Sequence, residues 1–470
     1  MRRWALLPAH AALGAACLGQ PLAQGPAARY DGYKLVRVRI QSVADVRTMQ
    51  ALGADQWSHR LREGVPGDFM IAPDMLDDLD ATGLRYEVAV EDVQAQIDAE
   101  NARLRRGPGA RGWFDDFKPL AEIHAYLDTL AAARPDLAST FEVGQSLEGR
   151  PVRGIRIAND AFGDPACKPT ILINACQHAR EWIAPMVAMY GADRLLGEYG
   201  ADGAVTELID RAEILIVPVV NVDGYEFTWT NQRLWRKNRR NNGDGTFGVD
   251  LNRNWGYEWG HDNGSSGSTR SETYRGAAPF SEPETQILRD LARSLPRLAA
   301  QVDLHSYGQL ILAPWGYTIE LPPDHETFQT LAARMQQEIL GVHERLYSHG
   351  PTYTELYPIS GGEGDWFWGD RGVHNFLIEL RGSGFVLPPE QIIPNAEEVY
   401  PALLAFAAWS RDQRAPLGDF NDDAAVDTRD VVEFLNAWSS GHASADFNLD
   451  GTLDIRDVIA FLNGWAAGCA

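Results

Sequence analysis

The first patterned stretch of the chain alternates strand-like and helix-like segments. YKLVRVRI, residues 33–40, alternates apolar and polar positions as a half-buried strand does, and VADVRTMQALG then follows helical spacing to Gly53. GDFMIAP, DMLDDLDATG and RYEVAV add a strand, a helix and a strand, and a polar helix runs through Asn101. The pattern predicts a small α+β domain of βαββαβ order over residues 30–101.

Longer, nearly continuous apolar runs dominate residues 113–411. TILINA, EILIVPVVN, AAQVDLHSY and HNFLIEL are typical of strands buried on both faces, and AEIHAYLDTLAAARP and PETQILRDLARSL show helical spacing. We therefore expect an α/β domain with a mixed, mostly parallel central sheet and helices on both faces. In such sheets, ligands collect beyond the carboxyl ends of the strands.

The last part of the chain, residues 418–469, is a duplication. DFNDDAAVDTRDVVEFLNAWSSG and DFNLDGTLDIRDVIAFLNGWAAG are each 23 residues long and begin 27 residues apart. Each copy places Asp or Asn at five ligand positions of a calcium loop before an amphipathic helix. We expect a small helical domain that binds two calcium ions; solvated acidic surface is the alternative. The candidate ligands are Asp419, Asn421, Asp423, Asp427 and Asp430 in the first loop and Asp446, Asn448, Asp450, Asp454 and Asp457 in the second.

The first residues are typical of an export signal. Two arginines precede an apolar run over residues 4–18 that is too short to span a bilayer, and we expect cleavage near Ala23. A poorly formed lipoprotein signal at Cys17 is the alternative. With residues 1–23 removed as a signal peptide, the protein is expected to be secreted or associated with the cell surface, without a transmembrane segment.

Charge and cysteine content add two constraints. The net charge of −23 over 470 residues argues against nucleic acid as a partner, because its binders cluster Lys and Arg. Of the four cysteines, Cys17 falls in the export signal and Cys469 has no obvious partner. A disulfide between Cys167 and Cys176 is conceivable, but spacing alone leaves it open.

One short motif has metal-ligand spacing. NACQHAREW, which follows the strand TILINA, places His178 and Glu181 three residues apart, so both side chains can face one point. Catalytic zinc commonly takes two His, one Glu and a water, so a distant third ligand is required. The alternative is a pair of polar residues at the start of a helix.

A set of motifs across residues 113–411 resembles the zinc carboxypeptidase family of pancreatic carboxypeptidases A and B. They are HAREW, LWRKNRR, VDLNRNW, YRGAAPFSEPET, DLHSYGQLILAPWGY, YPISGGEGDWFW and FLIELRGSG, in the family's order. The resemblance implies that His305 is the third zinc ligand. It also implies that Glu379 is the catalytic base, that Arg236 stabilises the oxyanion, and that Asp250 orients a zinc-bound histidine.

The same resemblance implies recognition of a free C-terminus. Arg253, with Asn252 beside it, would bind the terminal carboxylate, because a guanidinium fork makes two parallel hydrogen bonds to a carboxylate. Tyr357 would close over the bound terminus. Arg180 and Arg233 would be peripheral subsite residues or surface charges.

The match to the family's motifs also implies a pocket for the last side chain of the substrate. Gly364 falls where basic-specific relatives carry an acidic residue, which favours an apolar-to-broad preference, although Glu363 next to it could turn inward. The residues expected to line the pocket are Leu312, Gly316, Ile359, Gly364 and Leu377.

The two flanking regions complete the resemblance. Residues 30–101 resemble the family's activation domain, which cleavage in the linker at 102–112 would release; Arg105, Arg106 and Arg111 are the expected sites. A folding aid that stays attached is the alternative. The C-terminal repeats resemble dockerins, which implies a cohesin-like or cell-surface partner.

The sequence therefore predicts a secreted zinc carboxypeptidase that acts on peptides and proteins with a free C-terminus. A cell-wall peptidase on the same fold is the first alternative. A calcium-dependent binding protein with an inactive enzyme domain is the second, and the complete set of ligands and Glu379 argues against it.

Overall fold

The computed structural model describes residues 27–58, 63–106, 112–163, 165–413, 418, 420–421, 426–447 and 452–466. The predicted signal peptide, residues 1–23, lies outside them. Among the described residues, no helix combines the length and the apolar character needed to cross a membrane.

The N-terminal domain has the predicted order of strands and helices. Its sheet has the order β2-β3-β1-β4, with every pair antiparallel. The apolar positions of the alternating pattern, such as Val36 and Val38 of β1, pack on Phe69 and Leu79 in a core of their own. The elements are β1 Lys34–Arg39, α1 Val43–Ala51, β2 Asp55–Gln56, β3 Pro66–Ile71, α2 Leu76–Thr82, β4 Tyr86–Val90 and α3 Val93–Leu104.

The large domain is built on an eight-stranded sheet with the order β11-β10-β12-β9-β7-β8-β6-β5. Its parallel pairs are β10–β11, β9–β12, β7–β9 and β7–β8, and the other three pairs are antiparallel. The strands are β5 Ala138–Gln145, β6 Pro151–Ile157, β7 Thr170–Ala175, β8 Glu213–Val217, β9 Leu298–Ser306, β10 Leu310–Ala313, β11 Ser348–Pro351 and β12 His374–Leu380.

Helices cover the sheet on both faces, as the apolar runs predicted. Every residue of β7, β9 and β10 is buried, and because successive side chains of a strand point to opposite faces, both faces must be covered. The long α12 packs against α5 and α9. The helices are α4 Leu120–Ala133, α5 Ile183–Glu198, α6 Gly203–Arg211, α7 Val222–Thr230, α8 Pro283–Ser294, α9 His325–His343, α10 Thr352–Glu355, α11 Glu363–Gly369 and α12 Ile392–Gln413.

The C-terminal repeats form a pair of similar helices, α13 Thr428–Ser439 and α14 Ile455–Ala466. The rings of Phe434 and Phe461, one from each repeat, stack with centroids 4.1 Å apart. The indole of Trp438 donates to the Asp454 carbonyl, and that of Trp465 donates to the Asp427 carbonyl. The two sequence repeats therefore make equivalent contacts with each other in the structure.

Several of the predicted calcium ligands are described. Asp430 and Asp457, the last ligand of each loop, accept hydrogen bonds from the backbone N–H groups of Asp427 and Asp454 at 2.7 and 2.8 Å. Each carboxylate thus turns back onto its own loop. Asn421 and Asp446 are also described, whereas Asp419, Asp423, Asn448 and Asp450 lie outside the described residues.

The disulfide between Cys167 and Cys176, which the sequence spacing left open, is not formed. Cys176 is a free, buried thiol, whereas Cys167 is disulfide-bonded. Cys176 lies directly after β7, in the turn beneath the site described below, and its pKa is raised well above the usual value by burial. Cys17 and Cys469 lie outside the described residues.

Candidate active site

Three side chains from two neighbouring strands converge at the carboxyl edge of the large sheet. His178 and Glu181 lie in the turn between β7 and α5, and His305 lies near the end of β9. Their candidate ligand atoms all lie within 4.8 Å of one another, and all three side chains are buried. Glu181 Oε1 is 2.9 Å from His178 Nδ1, and Glu181 Oε2 is 3.0 Å from His305 Nδ1. Two imidazole nitrogens and one carboxylate are a donor set of catalytic zinc, so these residues fit that metal.

Both imidazoles are held by a carboxylate on the side away from the cluster. His178 Nε2 is 3.1 Å from Asp250 Oδ1, and His305 Nε2 is 2.6 Å from Asp303 Oδ2. Burial opposes the ionisation of Asp250, but the charges of Arg236, Arg253 and His178 hold its pKa well below the usual range. With Nε2 facing a carboxylate, Nδ1 is the nitrogen that each ring presents to the cluster.

Glu379 stands beside the cluster on β12, directly opposite His305 in the parallel β9–β12 pair. Its side chain is buried, and burial, followed by the charge of Glu181, raises the pKa of Glu379 to about 8. A carboxyl group with a pKa near neutrality takes up and releases protons under physiological conditions, as a general base must.

Arg236 reaches the cluster from the loop after α7. Its Nη2 donates to Asp250 Oδ2 at 2.8 Å, and its Nη1 lies 4.0 Å from Glu181 Oε1. No acceptor among the described residues bonds its buried Nε. The guanidinium is thus fixed by Asp250 and retains donor capacity at the edge of the site.

A short turn connects the three candidate metal ligands to Arg253, the residue predicted to bind the terminal carboxylate. Asp250 caps the 3-10 turn Leu251–Arg253 by accepting from the Asn252 N–H at 3.0 Å. Arg253 follows; its Nη1 donates to the Asn252 carbonyl at 2.7 Å, and its Nη2 donates to the Tyr357 hydroxyl at 3.1 Å. A Cβ on Gly361 would come within 2.5 Å of the Arg253 carbonyl oxygen, so only glycine fits there.

The five predicted pocket residues do line one cavity, with about 330 Å³ of empty space. Asp365 also lines it, and its carboxyl group accepts from the backbone N–H groups of Gly316 and Tyr317. Burial raises the pKa of Asp365 to about 7. A Cβ on Gly364 would lie 2.8 Å from Asn375 Oδ1, so the amide of Asn375 lies directly below this glycine.

Glu363 does not turn into that pocket. Its Oε2 accepts hydrogen bonds from Gln177 Nε2 at 2.7 Å and from Asn174 Nδ2 at 3.1 Å, beneath the metal cluster. Burial, followed by the charge of Asp303, raises the pKa of Glu363 well above its usual range. The possibility that Glu363 pairs with a basic substrate side chain is therefore contradicted by its position.

The N-terminal domain covers the entrance to the site. Asp55 lies within 3.3 Å of Arg180, and Trp57 packs on Phe385 with ring centroids 5.0 Å apart. Arg233 is also buried, with its Nε 2.6 Å from Glu100 of α3. In the whole chain both arginines are buried, with Asp55 and Glu100 of the N-terminal domain as partners, so neither is a surface charge there.

Sequence reasoning missed the polar residues beneath the cluster. Gln301, Asp303 and His305 occupy alternate positions of AAQVDLHSY and so share one face of β9. This period-2 polar pattern inside an apolar strand was the available signal. Asn174 lies opposite Asp303 in the β7–β9 pair and extends the same polar row.

A buried His-Glu-His donor set at the carboxyl ends of parallel strands in a mixed sheet, with a glutamate beside it, is typical of a metal-dependent hydrolase. A family model described as zinc carboxypeptidase matches residues 123–402, and one described as carboxypeptidase activation peptide matches residues 36–100. The chain therefore belongs to the zinc carboxypeptidase family and is a metallocarboxypeptidase with an activation peptide, and membership implies a catalytic zinc.

Named relatives agree with this assignment. The chain is 36% identical to rat carboxypeptidase A2 over 71% of its own length and 81% of that protein. It is 34% identical to zinc carboxypeptidase A 1 of Anopheles gambiae, over 80% of the chain and 89% of the relative. The crystal structure of the carboxypeptidase A from Helicoverpa armigera superposes with a TM-score of 0.73 at 30% identity, covering 82% of this chain and 98% of that one.

Proposed function

We propose that the protein is a secreted carboxypeptidase that hydrolyses the C-terminal peptide bond of peptides and proteins, with apolar-to-broad specificity. The observation that carries the proposal is the position of Arg253. It is buried one short turn away from Asp250, and no acceptor among the described residues bonds its Nε. A buried guanidinium with donor capacity beside a metal cluster suits the free carboxylate of a chain terminus.

Each side chain of the site has a task in this reaction. The chemistry that zinc would supply, held by His178, Glu181 and His305, is Lewis acidity and a bound water with a pKa near 7. Glu379 accepts the proton of the attacking water and delivers it to the departing amine nitrogen.

The arginines bind negatively charged groups of the substrate. Arg236, fixed by Asp250, donates to the oxygen of the scissile carbonyl as negative charge develops there. Arg253 and Asn252 bind the terminal carboxylate, and Tyr357, already bonded to Arg253, adds a further donor. Arg180 contributes to binding the residues that precede the scissile bond.

The pocket supports an apolar-to-broad preference. Leu312, Ile359 and Leu377 supply apolar walls, and the carboxyl group of Asp365 is engaged by two backbone N–H groups. Burial favours the neutral form of Asp365, so a buried Lys or Arg of the substrate would lack a free carboxylate partner, which costs several kcal/mol. Unblocked peptides that end in Phe, Leu, Lys and Arg test this directly; a strong Lys or Arg preference would contradict it.

The decisive experiment compares wild type with Glu379→Gln after cleavage in the linker. Successive loss of C-terminal residues, abolished by a zinc chelator and by the substitution, is the expected result. Equal activity of the two proteins would rule out the proposed mechanism. Peptides with a C-terminal D-residue distinguish the cell-wall alternative, which requires that they be cleaved better than L-peptides.

We propose that proteolysis within residues 102–112 releases the activation domain. Arg105 and Arg106 follow the end of α3 and are exposed, whereas Arg111 lies outside the described residues. Mass spectrometry after mild treatment with a trypsin-like protease identifies the bond. Retention of residues 30–101 in the fully active enzyme would favour the folding-aid alternative.

For the C-terminal repeats, we propose calcium binding and attachment to a cohesin-like partner. Equivalent positions of the two helices expose apolar side chains, Val432 and Leu435 in α13 and Ile459 and Leu462 in α14. Exposed, paired apolar groups beside acidic loops are typical of a protein-binding surface. Calcium is expected to raise the thermal stability of the C-terminal transition in the full chain; no calcium-dependent shift would contradict the proposal.

A further inference from the structure

The carboxylate of Asp303 is at the centre of a buried cluster beneath the metal ligands. Its Oδ2 is 2.6 Å from His305 Nε2 and accepts from Gln177 Nε2 at 2.5 Å, and its Oδ1 accepts from Asn174 Nδ2 at 3.0 Å. All four side chains are almost completely buried. The three partner side chains surround the Asp303 carboxylate together with Glu363, which accepts from the same two amides.

The orientation of both amides is fixed by further partners. Gln177 Oε1 accepts from the Trp255 indole at 3.1 Å, so its NH₂ group must be the one that faces Asp303. Asn174 Oδ1 accepts from Gln301 Nε2 at 2.7 Å, and its NH₂ group likewise faces Asp303. With amide donors on both oxygens, Asp303 serves as an acceptor for the third neighbour, the imidazole of His305.

We propose that Asp303 is a positioning residue that holds His305 with Nε2–H toward the sheet and Nδ1 toward the metal. The arrangement repeats the pairing of Asp250 with His178, in which Nε2 also faces a carboxylate and Nδ1 faces the cluster. Each histidine of the site thus has its own carboxylate. A hydrogen bond of this kind fixes the tautomer and the ring angle and raises the basicity of the ligating nitrogen.

The register of the sheet explains why this residue has the required reach. Asp303 and His305 lie two positions apart on β9, so both side chains leave the same face of the sheet. Asn174, opposite Asp303 on β7, approaches from the other side. The sheet therefore supplies His305 with a rigid support, whereas Asp250 reaches His178 from the start of a turn.

The test is the zinc affinity of the full chain, measured by competition with a chelator. The inference rests on the zinc site of the proposed function. Asp303→Asn and Asp303→Ser are expected to weaken zinc binding about 10- to 100-fold, as removal of such partners typically does. Asn395→Ala, at a buried polar residue of α12 whose amide bonds the Gln391 carbonyl and not Asp303, is the control and is expected to retain wild-type affinity.

The outcomes separate the two proposals. If wild type binds zinc and both Asp303 variants bind it equally well, the role of Asp303 is overturned while the zinc site stands. If wild type does not bind zinc, the zinc site itself fails. The thermal stability of the metal-free variants shows whether a loss of affinity comes from unfolding.

A measurement on wild type keeps the inference testable if the variants do not fold. In the zinc-loaded protein with ¹⁵N-labelled histidine, two Nε2–H protons are expected to be shielded from exchange, one on His178 and one on His305. Detection of only one such proton would contradict the assignment of Asp303.

Discussion

Asp55 of the activation domain and Arg180 of the catalytic domain form an ion pair, with Oδ2 and Nη1 3.3 Å apart. Arg180 is almost completely buried there, and its guanidinium carbon lies 4.1 Å from the centroid of the Phe385 ring. Because we propose Arg180 as a substrate-binding residue, Asp55 competes with substrate for the same guanidinium. The contact joins the activation domain to the site that it covers.

The first prediction concerns this contact. Asp55→Asn removes the charge but keeps the shape, and we expect the uncleaved protein to hydrolyse a short peptide about two- to fivefold faster. The expected gain corresponds to an ion pair of about 1 kcal/mol or less. Asp31→Asn, in an exposed ion pair with Arg29 of the same domain, is the control and should leave the rate unchanged. After removal of residues 30–101, all three proteins should have equal rates.

The second prediction concerns the carboxylate anchor. Arg253→Lys should lower kcat/KM for peptides with a free C-terminus about 10- to 100-fold, because a charged hydrogen bond contributes about 1.5–3 kcal/mol and Lys cannot form the fork. The ratio of rates on free and amidated peptides should fall by the same factor. Arg240→Lys, in an ion pair with Glu282 away from the cluster, should retain the wild-type ratio. An unchanged ratio in Arg253→Lys would exclude this residue as the anchor.

The third prediction concerns the floor of the pocket. In Gly364→Ala the new Cβ would lie 2.8 Å from Asn375 Oδ1, while the amide of Asn375 is tied to the carbonyls of Gly364 and Val373. We expect kcat/KM for peptides ending in Phe to fall about tenfold, with a smaller effect on peptides ending in Ala. Gly341→Ala, on a helix with open space around its Cα, is the control.

A double substitution checks the stated cause. If the loss arises from the contact with the amide, Asn375→Ala should restore much of the Phe rate in the Gly364→Ala background. No recovery in the double variant would mean that Gly364 affects the pocket by another route.

The fourth prediction concerns stability and pH. Burial raises the pKa of Glu284 from 4.5 to about 7. Between these values the folded state keeps a proton that the unfolded chain has lost, so this group lowers the free energy of unfolding as pH rises from about 4.5 to 7. The loss is on the order of 3 kcal/mol for a shift of this size.

Denaturation at pH 5 and pH 8 checks this expectation. Glu284→Gln removes the titration, so the stability of the variant relative to wild type should improve as the pH rises. Glu142→Gln, at an exposed position of β5, should show the same pH dependence as wild type. Parallel curves for wild type and Glu284→Gln would contradict the prediction.

The central sheet and two of the candidate metal ligands were predictable from the sequence for identifiable physical reasons. Strands such as TILINA are recognisable because both faces are apolar, and His178 and Glu181 are recognisable because they are close in sequence. The direction of Glu363 was not predictable in this way. Glu363 is next to the pocket in sequence, but its side chain accepts hydrogen bonds from Gln177 and Asn174, which come from other parts of the chain.

The burial of Arg180 and Arg233 was missed for a similar reason. Their partners, Asp55 and Glu100, lie 125 and 133 residues away along the chain. Local pattern carries no information about such pairs, and an arginine read alone is most often exposed. The pairing of Cys167 was likewise beyond the reach of sequence spacing.

The 3-10 turn Leu251–Arg253 sets the distance between the candidate metal ligands and the proposed carboxylate anchor. Asp250 at its start is tied to His178, and Arg253 at its end is the proposed anchor for the substrate terminus. The span from the reacting bond to the end of the peptide is therefore set by three consecutive residues of one rigid turn. Under the proposed function, a substrate whose terminus is bound to Arg253 would present only its last peptide bond to the metal site, and the enzyme would remove one residue at a time.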